Sequence, residues 1–162
     1  MDVRCRLGFV VPLITSALVG ASSATAGGGT SIAGAPMIRP GAQQTQNTQS
    51  DETAGGDVGS GASLGCWNDH EFWRIQLNAG DAVLLRGASV SPGRNFAVAF
   101  FPAGTTDRTL RKTTALIYGF PDRRAIRFTA RTTGTYPIVT GPNCYDGTDG
   151  TFTFTITAKH KG

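Results

Sequence analysis

The stretch Thr151-Phe152-Thr153-Phe154-Thr155-Ile156-Thr157 decides the fold class of this chain. Successive side chains of a β-strand point to opposite faces, so Phe152, Phe154 and Ile156 share one face and the threonines share the other. β-branched threonine suits the exposed face of a sheet. The alternation therefore predicts an antiparallel strand with one face in a core and one face in water.

Similar patterns recur upstream of this stretch, with turn signals between them. Trp73, Ile75 and Leu77 alternate with polar residues, and no stretch keeps a helical period over three turns. Pro137, near the head of one pattern, predicts an edge position or a first paired residue there. The predicted strands cover residues 72–77, 82–86, 96–100, 114–118, 126–129, 136–140 and 151–157. Short strands at this spacing predict an all-β fold, an antiparallel two-sheet β-sandwich that is jelly-roll-like.

The first 26 residues have the three parts of a secretory signal peptide. Arg4 and Arg6 precede an apolar run over residues 7–19, and small residues follow, ending in Ala24-Thr25-Ala26. This arrangement predicts cleavage after Ala26. The apolar run is shorter than the roughly 20 residues that a membrane-spanning helix needs. We therefore expect a secreted protein, extracellular or periplasmic, with no transmembrane segment after cleavage.

The mature chain divides by composition into two parts. Residues 27–63 are rich in Gly, Gln and Thr and contain few large apolar side chains. Such a segment buries too little surface to offset its ordering entropy, so we predict a flexible leader. A spacer from an envelope surface, or a segment that folds on a partner, is the alternative. Residues 64–162 carry the strand patterns and are predicted to form the β-sandwich domain.

Cleavage after Ala26 would change the cysteine count. Cys5 would leave with the signal, so that Cys66 and Cys144 remain. Two thiols in one small exported domain most often form a disulfide. Closing so long a loop would stabilise the domain by about 4–5 kcal/mol in the chain-entropy model.

Three segments between about residues 70 and 158 carry turn and strand motifs in a fixed order. They are Trp73-Arg74-Ile75-Gln76-Leu77 with the turn Asn78-Ala79-Gly80-Asp81, then Arg127-Phe128-Thr129-Ala130 with Thr133-Gly134-Thr135-Tyr136-Pro137-Ile138-Val139, and finally Gly150-Thr151-Phe152-Thr153-Phe154-Thr155-Ile156. Together they resemble the bacterial pre-peptidase C-terminal domains, which are small jelly-roll modules found beside secreted proteases. The resemblance implies an accessory role, such as binding of substrate or matrix, sometimes with calcium, or assistance with export.

A glycine-rich loop after Cys144 is a candidate calcium site. Asp146 and Asp149 place two carboxylates in the loop 146–150, and backbone carbonyls could complete a set of hard oxygen ligands. Asp69 and Glu71 would approach it if the disulfide joined the two segments. The alternative is an ordinary hairpin loop, which uses Asp and Gly for its backbone geometry. Calcium is the one candidate cofactor, and otherwise none is expected.

The mature chain carries few groups suited to catalysis. Its histidines are His70, beside Asp69 and Glu71, and His160, in a tail expected to fray. No nucleophile elbow, zinc-protease motif or phosphate-binding loop is present in the sequence. These observations favour a protein that is not an enzyme, with a small hydrolase built on His70 as a weaker alternative.

Basic residues give residues 64–162 a net charge of +5, from twelve Lys and Arg against seven Asp and Glu. Arg127 and Arg131 are expected to share an outward face. Such a patch could hold a polysaccharide, a matrix component or an envelope component. Aromatic residues are not interleaved with the charges, which argues against nucleic acid. A solvated surface is the plain alternative. The predicted patch consists of Arg123, Arg124, Arg127 and Arg131.

Together these patterns predict a secreted, non-catalytic binding or accessory module. The alternative is a structural protein of the cell envelope that holds no small ligand.

The disulfide prediction can be checked by intact mass. We expect the non-reduced mature protein to be lighter than the reduced protein by the hydrogen atoms lost when Cys66 and Cys144 pair. A thiol reagent added under denaturing, non-reducing conditions serves as the second measurement. Labelling of either cysteine there would show that the bond is absent.

Overall fold

The protein folds as two β-sheets packed face to face, in a computed structural model that describes residues 27–48, 70–89, 96–121, 123–142 and 150–160. The predicted all-β sandwich is confirmed. The strands are β1 Met37–Ile38, β2 Gln43–Thr48, β3 Glu71–Leu77, β4 Asp81–Ser89, β5 Phe96–Phe100, β6 Ile117–Gly119, β7 Ile126–Thr129, β8 Gly134–Pro142 and β9 Gly150–His160, with one short helix, α1 Asp107–Leu110.

Each sheet mixes strands from distant parts of the chain. The five-stranded sheet has the order β1-β3-β8-β5-β6, and the four-stranded sheet has the order β2-β9-β4-β7. All neighbouring strands run antiparallel except β1 and β3, which are parallel. The edge strands are therefore β1 and β6 in one sheet, and β2 and β7 in the other.

Strand β9, whose alternating pattern predicts the fold class, lies inside the four-stranded sheet, between β2 and β4. Phe152, Phe154 and Ile156 of β9 are buried between the sheets, as the alternation predicts. Phe152 stacks on Phe96 with ring centroids 4.6 Å apart, and Phe154 meets Trp73 edge to face at 5.3 Å. These ring pairs join the two sheets at the centre of the core.

The outer face of the five-stranded sheet is also apolar. All five residues of β5 are buried. Phe96, Val98 and Phe100 enter the core between the sheets, whereas Ala97 and Ala99 point the other way, into a second cluster. The other buried members of this second cluster are Ile32, Ala35, Phe72, Phe101, Leu110 and Val139. A sheet that is apolar on both faces must be covered on both.

The cover of this outer face comes from α1 and from the segment that precedes β1. Ile32 and Ala35 pack into the second cluster from the N-terminal side, and Leu110 packs from α1. The two covering parts are joined, because Asp107 of α1 accepts hydrogen bonds from the backbone N–H groups of Ile32 at 2.7 Å and Ala33 at 3.2 Å.

The prediction of a flexible leader is therefore wrong for residues 27–48. This N-terminal segment supplies β1 and β2, one strand to each sheet. Gly29 and Phe72 exchange two backbone hydrogen bonds of 2.8 Å, and the N–H of Arg74 donates to Pro36 at 2.9 Å. The N-terminal segment has few apolar side chains, but backbone hydrogen bonds to β3 and β9 offset the entropy lost when it becomes ordered. The remaining leader residues, 49–63, lie outside the described residues.

Pro137 lies inside β8, which is a central strand between β3 and β5, so its predicted edge position is wrong. Pairing of β8 with β5 ends at the Phe100–Ile138 pair. The Pro137 carbonyl accepts a 2.9 Å hydrogen bond from the N–H of Phe101, and the nitrogen of a strand residue faces the same side as its carbonyl. Proline has no N–H group. At this position the group would lie just beyond the last β5–β8 pair, so its absence removes no hydrogen bond between the paired residues of these strands.

Several predicted features lie outside the described residues: the signal segment 1–26 with its cut after Ala26, and the pair Cys66 and Cys144. Among the residues that are described, no helix is both long and apolar enough to cross a membrane.

The role of the N-terminal segment as a cover can be tested at Ile32, which is 6% exposed. Ile32→Ala should lower the free energy of unfolding by about 2–4 kcal/mol, because it leaves a cavity over Phe72 and Phe101. Urea denaturation of the mature protein measures this. The neighbouring exposed Ala33, changed to Ser, is the control and should shift the free energy by less than about 0.5 kcal/mol. Equal stability of both variants would contradict the cover.

Candidate binding groove at the β6–β7 edge

The candidate site lies where the edge strands of the two sheets meet. β6 ends the five-stranded sheet, β7 ends the four-stranded sheet, and the two strands lie next to each other. The opposite side of the sandwich carries β1 and β2 from the N-terminal segment. The chain between β6 and β7 contains Arg123 and Arg124, so two of the predicted arginines are placed at this edge.

A groove of about 440 Å³ opens between these two strands. Three of the four arginines that the sequence singles out line it, and they are joined by aromatic side chains of the β6 end. None of the described residues that line this groove is acidic. The lining consists of Ile117, Tyr118, Gly119, Phe120, Arg123, Arg124, Ala125, Ile126 and Arg127. We call it the arginine groove.

A tight turn positions the first two arginines. The backbone N–H groups of Arg123 and Arg124 both donate to the carbonyl of Phe120, at 3.1 and 3.0 Å. The turn brings Arg123 back over Phe120, the residue that directly follows β6. The guanidinium carbon of Arg123 lies 5.5 Å from the centroid of the Phe120 ring. At this distance the positive charge is attracted by the face of the ring. Both arginines are exposed at the surface.

Two aromatic rings form a wall beside these charges. Tyr118 and Phe120 meet edge to face with ring centroids 5.5 Å apart, and both are half-buried. Burial raises the pKa of the Tyr118 phenol above its ordinary value of 10.0. The phenol therefore stays neutral near pH 7. Neutral aromatic rings and positive charges thus lie side by side in this groove.

Arg127 reaches the groove from β7 by strand alternation. Ile126 and Phe128, on either side of it, pack toward the core, which leaves Arg127 exposed on the outer face. Phe128 contacts Phe100 with centroids 4.8 Å apart, so the strand that presents Arg127 is fixed by core packing. The outward direction predicted for this arginine is the one observed.

Arg131 belongs to a different surface. It lines a neighbouring groove of about 940 Å³, most of whose lining atoms are apolar. Leu116 is 46% exposed there. The Tyr136 hydroxyl in this groove donates to the Thr132 carbonyl at 2.7 Å. Of the four predicted arginines, three therefore line the arginine groove, and Arg131 lies beside it. The second groove is lined by Pro102, Ala103, Thr114, Ala115, Leu116, Phe128, Thr129, Arg131, Thr132 and Tyr136.

Both histidines of the mature sequence have structural surroundings. His70 is 3% exposed and packs edge to face against Phe72 at 5.2 Å, which keeps its ring away from a substrate in solvent. His160 is the last residue of β9, and its Nδ1 lies 3.0 Å from Oδ1 of Asp81. The expected fraying of the tail is therefore not seen at His160.

The Asp81 carboxylate has two roles in the turn between β3 and β4. It accepts the N–H of Asn78 at 2.7 Å and faces His160 on the other side. The pKa of Asp81 lies below its ordinary value of 3.8. The hydrogen bond from Asn78 is the larger cause, and the interaction with His160 is the smaller one. The hydrogen bonds favour the charged form of the carboxylate.

Metal ligands do not gather in the described part of the chain. No group of three or more His, Cys, Asp and Glu residues there is placed to hold a metal ion. Glu71 instead accepts the N–H of Gly28 at 2.6 Å. The candidate calcium ligands Asp146 and Asp149 lie outside the described residues, as does Asp69. Calcium binding by this loop therefore stays a prediction.

The aromatic residues of the arginine groove were not predicted from the sequence. Aromatic side chains are not interleaved with the arginines along the chain, yet Tyr118 and Phe120 lie within five residues of Arg123. The signal was present as Tyr118-Gly119-Phe120-Pro121, directly before the arginines. The turn that brings ring and guanidinium together depends on backbone hydrogen bonds that a pattern of residue types does not specify.

Comparison with known proteins shows similarity in fold alone. No family model and no curated protein matches the chain. Among solved structures, PliG of Aeromonas hydrophila, a periplasmic lysozyme inhibitor of g-type lysozyme, is similar with a TM-score of 0.54 and 12% identity, over 76% of this chain and 94% of that one. CorA, a surface-associated copper-binding protein of Methylomicrobium album BG8, is similar with a TM-score of 0.51 and 12% identity, over 83% of this chain and 100% of that one.

The lowered pKa of Asp81 predicts an acid-sensitive contribution to stability. A carboxyl whose pKa is lower when folded stabilises the fold above its unfolded pKa of about 4, and this contribution is lost as the pH falls through the folded pKa. Asp81→Asn should therefore destabilise the protein more at pH 7 than at pH 2.5, as measured by urea denaturation. His160→Gln is the control and should keep most of the pH dependence, because Asn78 is the larger cause. A cost of Asp81→Asn that is equal at both pH values would contradict this.

Proposed function

We propose that this protein is an exported, non-catalytic binding protein that holds an anionic polysaccharide of the envelope or matrix in the arginine groove. The observation that carries the proposal is the meeting of Arg123, Arg124 and Arg127 with Tyr118 and Phe120 in one groove between two edge strands.

Charge favours an anionic ligand. Guanidinium groups bind carboxylate, phosphate and sulfate through paired hydrogen bonds, and they remain charged at every physiological pH. Without the signal segment, residues 27–162 hold 13 Lys and Arg against 10 Asp and Glu, a net charge of +3 at pH 7, so the field outside the groove also attracts anions. The neutral Tyr118 phenol adds no negative charge to the groove.

The aromatic wall favours a sugar over a simple anion. A sugar ring offers apolar C–H faces and polar edges, which suits a wall of Tyr118 and Phe120 next to guanidinium groups. An acidic sugar chain uses both properties of the groove, whereas a free phosphate ion would use only the charges.

The similar structures support a binding role by analogy of fold. One is described as an inhibitor of a lysozyme and the other as a copper-binding protein, and their locations are periplasmic and surface-associated. These locations support export of this chain, as does its predicted signal. The resemblance to pre-peptidase C-terminal domains points the same way, toward an accessory module. Copper gains no support from the described residues, which hold no cluster of metal ligands.

The proposal is tested with polygalacturonate as the acidic glycan, neutral dextran as the uncharged glycan and inorganic polyphosphate as the anion without sugar. The double variant Arg124→Gln with Arg127→Gln should bind polygalacturonate about tenfold more weakly in low salt, because exposed charge contacts contribute up to about 1 kcal/mol each. Affinity should fall with added salt. Isothermal titration of the mature protein measures both effects.

Two control variants separate the groove from net charge and from mere anion attraction. Arg108→Gln with Lys112→Gln makes the same change in net charge at exposed positions of the α1 region and should leave binding within about twofold. Phe120→Leu should weaken binding of polygalacturonate but not of polyphosphate. Equal losses in the two double variants, or no binding of polygalacturonate by the unaltered protein, would refute the proposal and favour a structural envelope protein.

A further inference from the structure

The residues directly after the predicted cleavage site form an ordered part of the fold. The N–H of Gly27 donates to the Thr45 carbonyl at 3.1 Å, and the N–H of Gly28 donates to Oε2 of Glu71 at 2.6 Å. Gly29 exchanges two hydrogen bonds of 2.8 Å with Phe72. The first residues of the mature chain are therefore held by β2 and β3.

The surroundings of these glycines leave no room for a side chain at Gly28 or at Gly29. A Cβ atom on Gly28 would lie 2.6 Å from Cβ of Glu71 and 2.9 Å from the Phe72 carbonyl oxygen, and a Cβ on Gly29 would lie 2.7 Å from Cα of Ala35. Atoms of this kind do not approach so closely, so both positions require glycine. The run Gly27-Gly28-Gly29, which resembles a flexible linker in composition, is a close-fitting insert.

The insert ends beside a carboxylate that is largely withdrawn from water. Glu71 is 7% exposed. A buried carboxylate gains stability from hydrogen bonds and from an opposite charge nearby. Standard bond lengths keep consecutive backbone nitrogens within about 3.7 Å, so the Gly27 nitrogen lies at most about 6.3 Å from Oε2, to which the Gly28 nitrogen donates at 2.6 Å. That range is one in which opposite charges favour each other's ionised form.

Signal-peptide removal changes the charge at this nitrogen. Hydrolysis of the Ala26–Gly27 amide consumes one water molecule, leaves a carboxylate on Ala26, and converts the neutral Gly27 amide into an amine that is protonated near neutral pH. Gly27 has a φ of +89° while residue 26 is attached. The cut removes that dihedral constraint and lets the new ammonium turn toward its acceptors.

We propose that the α-ammonium created by cleavage after Ala26 binds in a site formed by the Glu71 carboxylate and the Thr45 carbonyl. The bond ties the mature N-terminus to both sheets, since Thr45 lies on β2 and Glu71 on β3. It secures the N-terminal segment that covers the outer face of the five-stranded sheet. The precursor lacks this charge pair, so export processing completes the stability of the fold.

The test compares mature protein that begins at Gly27 with protein that retains Thr25 and Ala26, each with Glu71 or with Glu71→Gln. The mature form should melt about 3–5 °C above the extended form. Glu71→Gln should remove that difference, because only the charge on residue 71 changes. A melting temperature equal in the two Glu71 forms, or a difference that survives Glu71→Gln, would overturn the proposal.

Two further measurements separate the charge from the added residues. Nα-acetylation of the mature form neutralises Gly27 with little bulk and should lower its melting temperature as the extension does. Asp107→Asn, which weakens the other anchor of the same segment, is the matched control and should preserve the difference between mature and extended forms. The exported protein, analysed by mass, should begin at Gly27, and a different first residue would also overturn the proposal.

Discussion

The five-stranded sheet is apolar on both faces, and this constraint organises the rest of the structure. β5 illustrates it, because each of its residues is buried although consecutive side chains point in opposite directions. One face packs against the four-stranded sheet through Phe96, Val98 and Phe100. The other face would expose Phe72, Phe101 and two alanines to water if nothing covered it. The hydrophobic effect therefore requires a third layer over this sheet.

The cover explains why a glycine-rich and polar segment is ordered. Residues 27–48 contribute few apolar side chains, but Ile32 and Ala35 are placed where the outer face needs them. Carboxylates at two points anchor the backbone, with Asp107 holding Ile32 and Ala33 and Glu71 holding Gly28. After its covering turn, the same segment pairs with both sheets as β1 and β2. One side of the sandwich is thereby closed by residues 27–48.

The opposite side of the sandwich carries the groove that we propose as the binding site. There the edge strands β6 and β7 meet without a covering segment among the described residues, and the connection between them places arginines beside aromatic rings. Edge strands that carry positive charge resist pairing with other chains, so the same side chains discourage aggregation and attract anions. The two edges of the sandwich therefore differ, because residues 27–48 close one and the proposed binding groove lies at the other.

The sequence by itself determined the fold class, the approximate positions of strands β3 to β9 and the inward residues of β3, β5, β7 and β9, because side-chain alternation in a strand is a local property. It also marked three of the groove's arginines. Only the tertiary structure decided which strands pair, that β8 with Pro137 is central, that residues 27–48 belong to the sheets, and that Tyr118 and Phe120 join the arginines while Arg131 does not. These depend on contacts between residues far apart in sequence, whose partners no local pattern specifies.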